Sequence, residues 1–139
     1  MLRRRFLFAF ASLATLTACM GGQEAGTVMQ TGSSFEAPAG KALVVFYRPA
    51  AFAGGAIRFD VQHTDGSVGQ LTSGAVLQKV VNPGEHTFWA QAISQDAITI
   101  QAQAGQTYYV RGDVRMGIYA GRPQFTQVSE TTARQDMSR

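Results

Sequence analysis

Ala42-Leu43-Val44-Val45-Phe46-Tyr47 is an unbroken apolar run rich in β-branched and aromatic side chains. A strand with one wet face would alternate apolar and polar residues, so this run predicts a central strand buried on both faces. Further on, Ile57, Phe59 and Val61 alternate with Arg58, Asp60 and Gln62, the period of a half-buried strand. Asp65-Gly66 then supplies a hairpin turn, and Val68 to Leu71 reads as the return strand. Thr72-Ser73-Gly74 turns the chain into a strand from Ala75 to Val81, which Asn82-Pro83-Gly84 ends. Strands follow over His86 to Gln91, Ile98 to Ala102, Thr107 to Val114 and near Phe125 to Val128. About eight short strands at spacings of about 8–12 residues, without sustained helical periodicity, predict an all-β single antiparallel β-sandwich or small barrel. Ser129 is placed to cap one short helical turn reaching Asp136. Gly40, Gly84 and Gly105 each precede one polar residue and then a strand, a shared way of entering a strand through glycine's wider backbone freedom.

The chain's first segment has a different composition. Arg3, Arg4 and Arg5 form a basic start, Phe6 to Leu16 is apolar, and Leu16-Thr17-Ala18-Cys19 has the form of a lipobox. The apolar stretch is too short to span a bilayer, which needs about 20 residues. Residues 1–18 are therefore expected to be a lipoprotein signal peptide, leaving Cys19 as the lipid-bearing first residue of the mature chain. An ordinary signal peptide or a buried N-terminal helix is the competing reading. Each buried CH₂ of an acyl chain contributes about 0.8 kcal/mol, and two or three chains hold firmly where one holds marginally. Arg3-Arg4-Arg5-Phe6-Leu7 also fits the core of a twin-arginine export signal, but Leu2 and Phe8 stand where a hydroxyl residue and a lysine are expected. Export by the general route is the expectation. Met20, rather than Asp, follows the cysteine, which favours the outer membrane, facing the periplasm, over the inner one. Residues 19–40, rich in Gly, Gln, Ala, Ser and Thr, are expected to be a flexible tether spanning about 25 Å. The sandwich is expected over 41–136.

Removing the leader also changes the charge. The whole chain has 12 Lys+Arg against 9 Asp+Glu. Without Arg3, Arg4 and Arg5 it has 9 of each, and a neutral chain lacks the basic footprint of a nucleic-acid binder. Cys19 is the single cysteine, so no intramolecular disulfide is available and stability has to come from the core. About 100 residues bury roughly 60–65% of their unfolded surface, enough for one domain.

Three ordered segments, Asn82-Pro83-Gly84-Glu85-His86-Thr87-Phe88, Ala102 to Val110 and Gly121 to Val128, resemble small bacterial lipoproteins carrying domain of unknown function 2846. Ala42 to Pro49 looks like that family's opening strand, and the resemblance covers roughly Lys41 to Asp136. It implies a β-sandwich of immunoglobulin-like or prealbumin-like character on an envelope lipoprotein. It implies no activity and no site residue.

The sequence offers few chemical constellations. His63 and His86 are the only histidines, in different strands, and no free cysteine joins them, so no metal site and no cofactor are expected. A Ser–His–Asp set drawn from Ser67, Ser73 or Ser94 with His86 and Asp96 would need tertiary contact to arise, and no nucleophile-elbow motif supports it. Adjacent residues in a strand point to opposite faces, so one of Tyr108 and Tyr109 and one of Phe88 and Trp89 turn away from the core. Trp89, Tyr109, Arg111 and Tyr119 are the candidate binding patch, with Arg48 as another nearby cation; coverage of both faces by sheet and loops is the competing reading. Gly112, inside Arg111-Gly112-Asp113, reads as the mark of a bulge rather than part of a recognition loop. Arg115 to Pro123 reads as a long flexible connection whose Met116, Ile118 and Tyr119 either bind a partner or fold back as a cap. The expectation is a non-enzymatic, lipid-anchored envelope module that binds a protein or glycan. A carrier of small apolar ligands is the alternative, and an envelope hydrolase the more distant one.

Overall fold

In a computed structural model that describes residues 35–51, 53–92 and 94–139, the chain forms two stacked four-stranded sheets and one helix. The strands are β1 (Ala42–Tyr47), β2 (Phe59–His63), β3 (Gly66–Leu71), β4 (Val76–Val81), β5 (Gly84–Gln91), β6 (Asp96–Ala102), β7 (Thr107–Met116) and β8 (Gly121–Val128), followed by α1 (Glu130–Met137). One sheet has the order β4-β1-β7-β8 and the other β3-β2-β5-β6. The expected signal peptide, Cys19 and the first part of the tether lie outside the described residues.

β1 is buried along its whole length, as its unbroken apolar sequence predicts. Ala42, Val44 and Phe46 face the second sheet. Leu43, Val45 and Tyr47 face the other way, beneath a third layer that includes α1 and residues Phe35 and Ala37. The tether therefore ends earlier than its composition suggests. Phe35 meets the Tyr109 ring edge-on at 6.1 Å, and its carbonyl accepts a hydrogen bond from the Thr107 hydroxyl.

Pairing is antiparallel except between β1 and β7, which run parallel with Leu43 opposite Thr107 and Tyr47 opposite Arg111. This departs from the purely antiparallel expectation. Parallel neighbours need a long crossover, and here the whole second sheet lies between them in sequence. Between the sheets, Phe46 packs on Phe88 at 4.9 Å and on Phe125 at 5.7 Å, and Phe125 packs on Phe59 at 5.9 Å. These rings fill the middle of the sandwich, and burying each one fully contributes about 1.5–3 kcal/mol.

Gly40, Gly84 and Gly105 all have positive φ, as the strand-entry pattern predicts. Gly112 has a different role. The β7–β8 register runs unbroken through it, so there is no bulge at this position. A Cβ there would collide with the Leu71 side chain and sit 3.3 Å from Phe59, so glycine lets the two sheets approach. The irregular register falls instead in the β2–β3 hairpin, between Val61 and Gln62.

α1 begins where Ser129 caps it, its hydroxyl accepting from the Thr132 amide at 3.2 Å. Ala133 is fully buried against the first sheet. Asp136 ties the helix down: its Oδ2 accepts from the Tyr47 hydroxyl at 2.8 Å and from Arg111 Nη1 at 3.1 Å.

Candidate functional site

The two ends of the sandwich differ in character. The chain enters the described structure at Phe35, beside the start of β7. β7 then runs ten residues to Met116, about 30 Å at the usual rise per residue. The β7–β8 hairpin therefore turns at the pole opposite the chain's entry.

This hairpin corrects the reading of Arg115 to Pro123 as a long flexible connection. Val114 pairs with Pro123, Arg115 with Arg122 and Met116 with Gly121, which leaves only residues 117–120 as the turn. The Gly117 amide donates to the Ala120 carbonyl at 2.9 Å and closes it. A side chain at Gly121 would collide with Ile57, so the β1–β2 loop presses directly on the hairpin arm. Arg48 holds that loop. Its guanidinium, 4% exposed, donates to the Gly54 carbonyl at 2.6 Å and to the Ile57 carbonyl. Burial lowers its pKa from the usual arginine value. Arg48 is thus a clamp inside the loop and not a surface cation.

At the tip, Ile118 is 93% exposed, Tyr119 98% and Met116 64%. They do not fold back as a cap. The turn and Ser94 line an open recess of about 420 Å³. Arg115 and Arg122 face each other across the strands just below the turn, and residues 114–124 contain no acidic side chain. The result is an apolar tip above a cationic collar.

The four residues expected to form one binding patch are spread over three places. Trp89, half-buried, alternates with the core residues Phe88 and Ala90 and so lies on the outer face of the second sheet. Tyr109 and Arg111 lie on the outer face of the first sheet, and Tyr119 is at the hairpin tip. Tyr109 is only 2% exposed because Phe35 and α1 cover it. Burial raises its phenol pKa, and among the described residues its hydroxyl lies within hydrogen-bond geometry of no partner. Arg111 bridges Asp113 and Asp136, with 2.9 Å to the former, and so serves the helix dock.

Among the other candidates, Ser73 bonds the backbone of Ala51 and Ser94 lies beside the hairpin tip. Asp96 Oδ2 accepts from the Phe125 amide at 2.6 Å. Opposite Ala90 in the β5–β6 ladder, Asp96 stands four register positions from His86, which faces Ile100. His86 instead meets His63, with 3.0 Å between Nδ1 of the former and Nε2 of the latter. The sequence, which places the two in different strands, gives no sign of this contact, and His63 is buried. Only the β2–β5 register, which sets His63 opposite Phe88, brings His86 within reach. Among the described residues, no group of three or more His, Cys, Asp or Glu side chains is placed to hold a metal ion.

A family model described as "Protein of unknown function (DUF2846)" matches residues 38–124, which include the hairpin tip and the histidine pair but not α1. The chain is 26% identical over 111 residues to an uncharacterized protein of Haemophilus influenzae. That match covers 78% of this chain and 66% of the relative's length. No solved structure matches the chain.

Proposed function

The chain belongs to the DUF2846 family of proteins of unknown function, and from that premise we propose that it is a lipid-anchored bacterial envelope protein whose sandwich binds a partner through the β7–β8 hairpin tip. The observation that carries this reading is the near-complete exposure of Ile118 and Tyr119 on an ordered, buttressed hairpin. Large apolar side chains on a rigid projection cost solvation, and a partner's pocket recovers it. The tip lies at the pole opposite the chain's entry. A tether from a lipidated Cys19 would therefore present it away from the anchoring membrane. Arg115 and Arg122, without acidic neighbours in the turn, favour a partner that carries carboxylates around an apolar groove.

A carrier of small apolar ligands would need room between the sheets, where Phe46, Phe59, Phe88 and Phe125 interlock. The binding-module reading needs only the surface. The immunoglobulin-like or prealbumin-like character of the sandwich, and residence at the outer membrane facing the periplasm, belong to this same proposal.

The test is site-specific photocrosslinking in cells. A photoreactive residue at position 119 should give a discrete adduct that Ile118→Ser abolishes. The same residue at position 101, exposed on β6, should give none. Equal adducts at both positions, or an adduct indifferent to Ile118→Ser, would refute the role of the tip.

A further inference from the structure

We propose that His63 and His86 form a hydrogen-bonded pair that holds the entry-side end of the sandwich closed while both rings are neutral and loosens it when the pair is protonated.

The pair arises from register. His63 ends β2 on the same face as Phe59 and Val61, and His86 lies two residues before its partner Phe88 on β5. Diagonal neighbours on one face of an antiparallel pair are within reach of ring side chains. His63 is 3% exposed and stacks on Phe88 with ring centres 4.7 Å apart, while His86 is half-buried.

The hydrogen bonds assign the protons. His86 Nε2 lies 2.7 Å from the Asn82 carbonyl, which can only accept, so this nitrogen carries the hydrogen and Nδ1 of the neutral ring is bare. His63 Nε2 must then donate to it across the 3.0 Å contact. That leaves His63 Nδ1 bare, and it accepts the Asp65 amide at 3.3 Å. All four ring nitrogens are thus satisfied with both rings neutral. The two rings meet nearly head-on: their centres are 5.1 Å apart, close to the bond length plus two ring radii. A metal held by both nitrogens would bend that line, so the shared species is a proton.

An added proton finds no unoccupied acceptor. On His63 Nδ1 it would face the Asp65 carboxylate, whose Oδ2 is 3.3 Å away, but it would displace the Asp65 amide and charge a ring that is 3% exposed. On His86 Nδ1 it would set two N–H donors against each other across the 3.0 Å contact. Of the charged groups around His63, Asp65 favours its protonation, while His86 and Lys79 oppose it. Burial outweighs these and lowers the His63 pKa from its ordinary value near 6.5. Lys41, at the foot of β1, donates to the side chain of Asn82, the residue whose carbonyl holds His86. The pair therefore sits against the turn to which the entering chain is fastened.

The sign follows from the lowered affinity. The unfolded chain binds protons more readily, so the pair's contribution is intact above about pH 6.5 and is lost as pH falls below it. Each unit of depression corresponds to about a tenfold loss in the folding equilibrium constant.

The test combines imidazole ¹⁵N NMR and urea unfolding of the full chain between pH 8 and pH 4.5, with His86→Gln as the variant. Glutamine can accept from His63 Nε2 and does not titrate. At pH 8 the wild-type spectrum should show both rings protonated at Nε2 and bare at Nδ1. On acidification below about pH 6.5 the His63 signals should shift in a way that depends on the residue at position 86, and the folding constant should fall about tenfold for each unit by which the measured His63 pKa is depressed. His86→Gln should fold at pH 8 and lose less than the wild type on acidification. A His63 titration unchanged by His86→Gln, the opposite tautomers, or superimposable pH–stability profiles for the two proteins would overturn the proposal.

Discussion

Replacing Asp136 with alanine removes a single oxygen that serves two donors from another layer. Its Oδ2 accepts from the Tyr47 hydroxyl at 2.8 Å and from Arg111 at 3.1 Å. The two losses are unequal. Tyr47 is fully buried, and orphaning a buried hydroxyl costs about 1–3 kcal/mol. Arg111 is 36% exposed and keeps Asp113, so solvent screening limits its share to under about 1 kcal/mol. Asp136→Ala should therefore destabilise the full chain by about 2–3 kcal/mol, mostly through Tyr47. Tyr47→Phe removes the donor without orphaning it and should cost about 1 kcal/mol. In that background Asp136→Ala should cost about 1 kcal/mol less than it does alone, because no buried hydroxyl is left behind. Urea unfolding of the four proteins in this cycle measures the coupling directly. A cost for Asp136→Ala below about 0.5 kcal/mol, or the same cost in both backgrounds, would refute the claim that this carboxylate docks the helix through Tyr47. Burial first, and then the bond to Asp136, raise the Tyr47 pKa well beyond the ordinary phenol value, so the hydroxyl remains a donor across the working pH range.

Gly112→Ala should destabilise by about 1–3 kcal/mol in the same assay, because the new methyl meets Leu71 between the sheets; a neutral result would mean the sheets can separate freely. Ile118→Ser and Tyr119→Ser should each change unfolding free energy by less than about 0.5 kcal/mol, since both side chains already face solvent. A larger loss would mean the tip belongs to the core. Cys19→Ser should abolish metabolic fatty-acid labelling and leave an uncleaved or soluble chain; unchanged labelling and membrane association would rule out the lipobox.

Much of the architecture was legible because its causes are local. The eight strands follow from apolar periodicity, and Asp65-Gly66, Thr72-Ser73-Gly74 and Asn82-Pro83-Gly84 punctuate them where the chain turns. Ser129 reads as a cap because a hydroxyl at that position needs only the next three residues to act. The candidate site was less legible. Met116, Ile118 and Tyr119 were recognisable as apolar residues in a connection, but their exposure depends on how far β7 and β8 zip before turning. Tyr109 was misplaced because its cover, Phe35 and α1, lies 74 residues upstream in one case and begins 21 residues downstream in the other.

Taken alone, the sequence determines the alternation of strand and turn and the unusual two-sided burial of β1. Only the tertiary structure decides the parallel β1–β7 pairing, the sheet approach that requires Gly112, the pole from which the hairpin projects, and the meeting of His63 with His86. The physical reason is range. Periodicity and turn chemistry act over a few residues, whereas these contacts depend on the register between strands and on the packing of one sheet against the other.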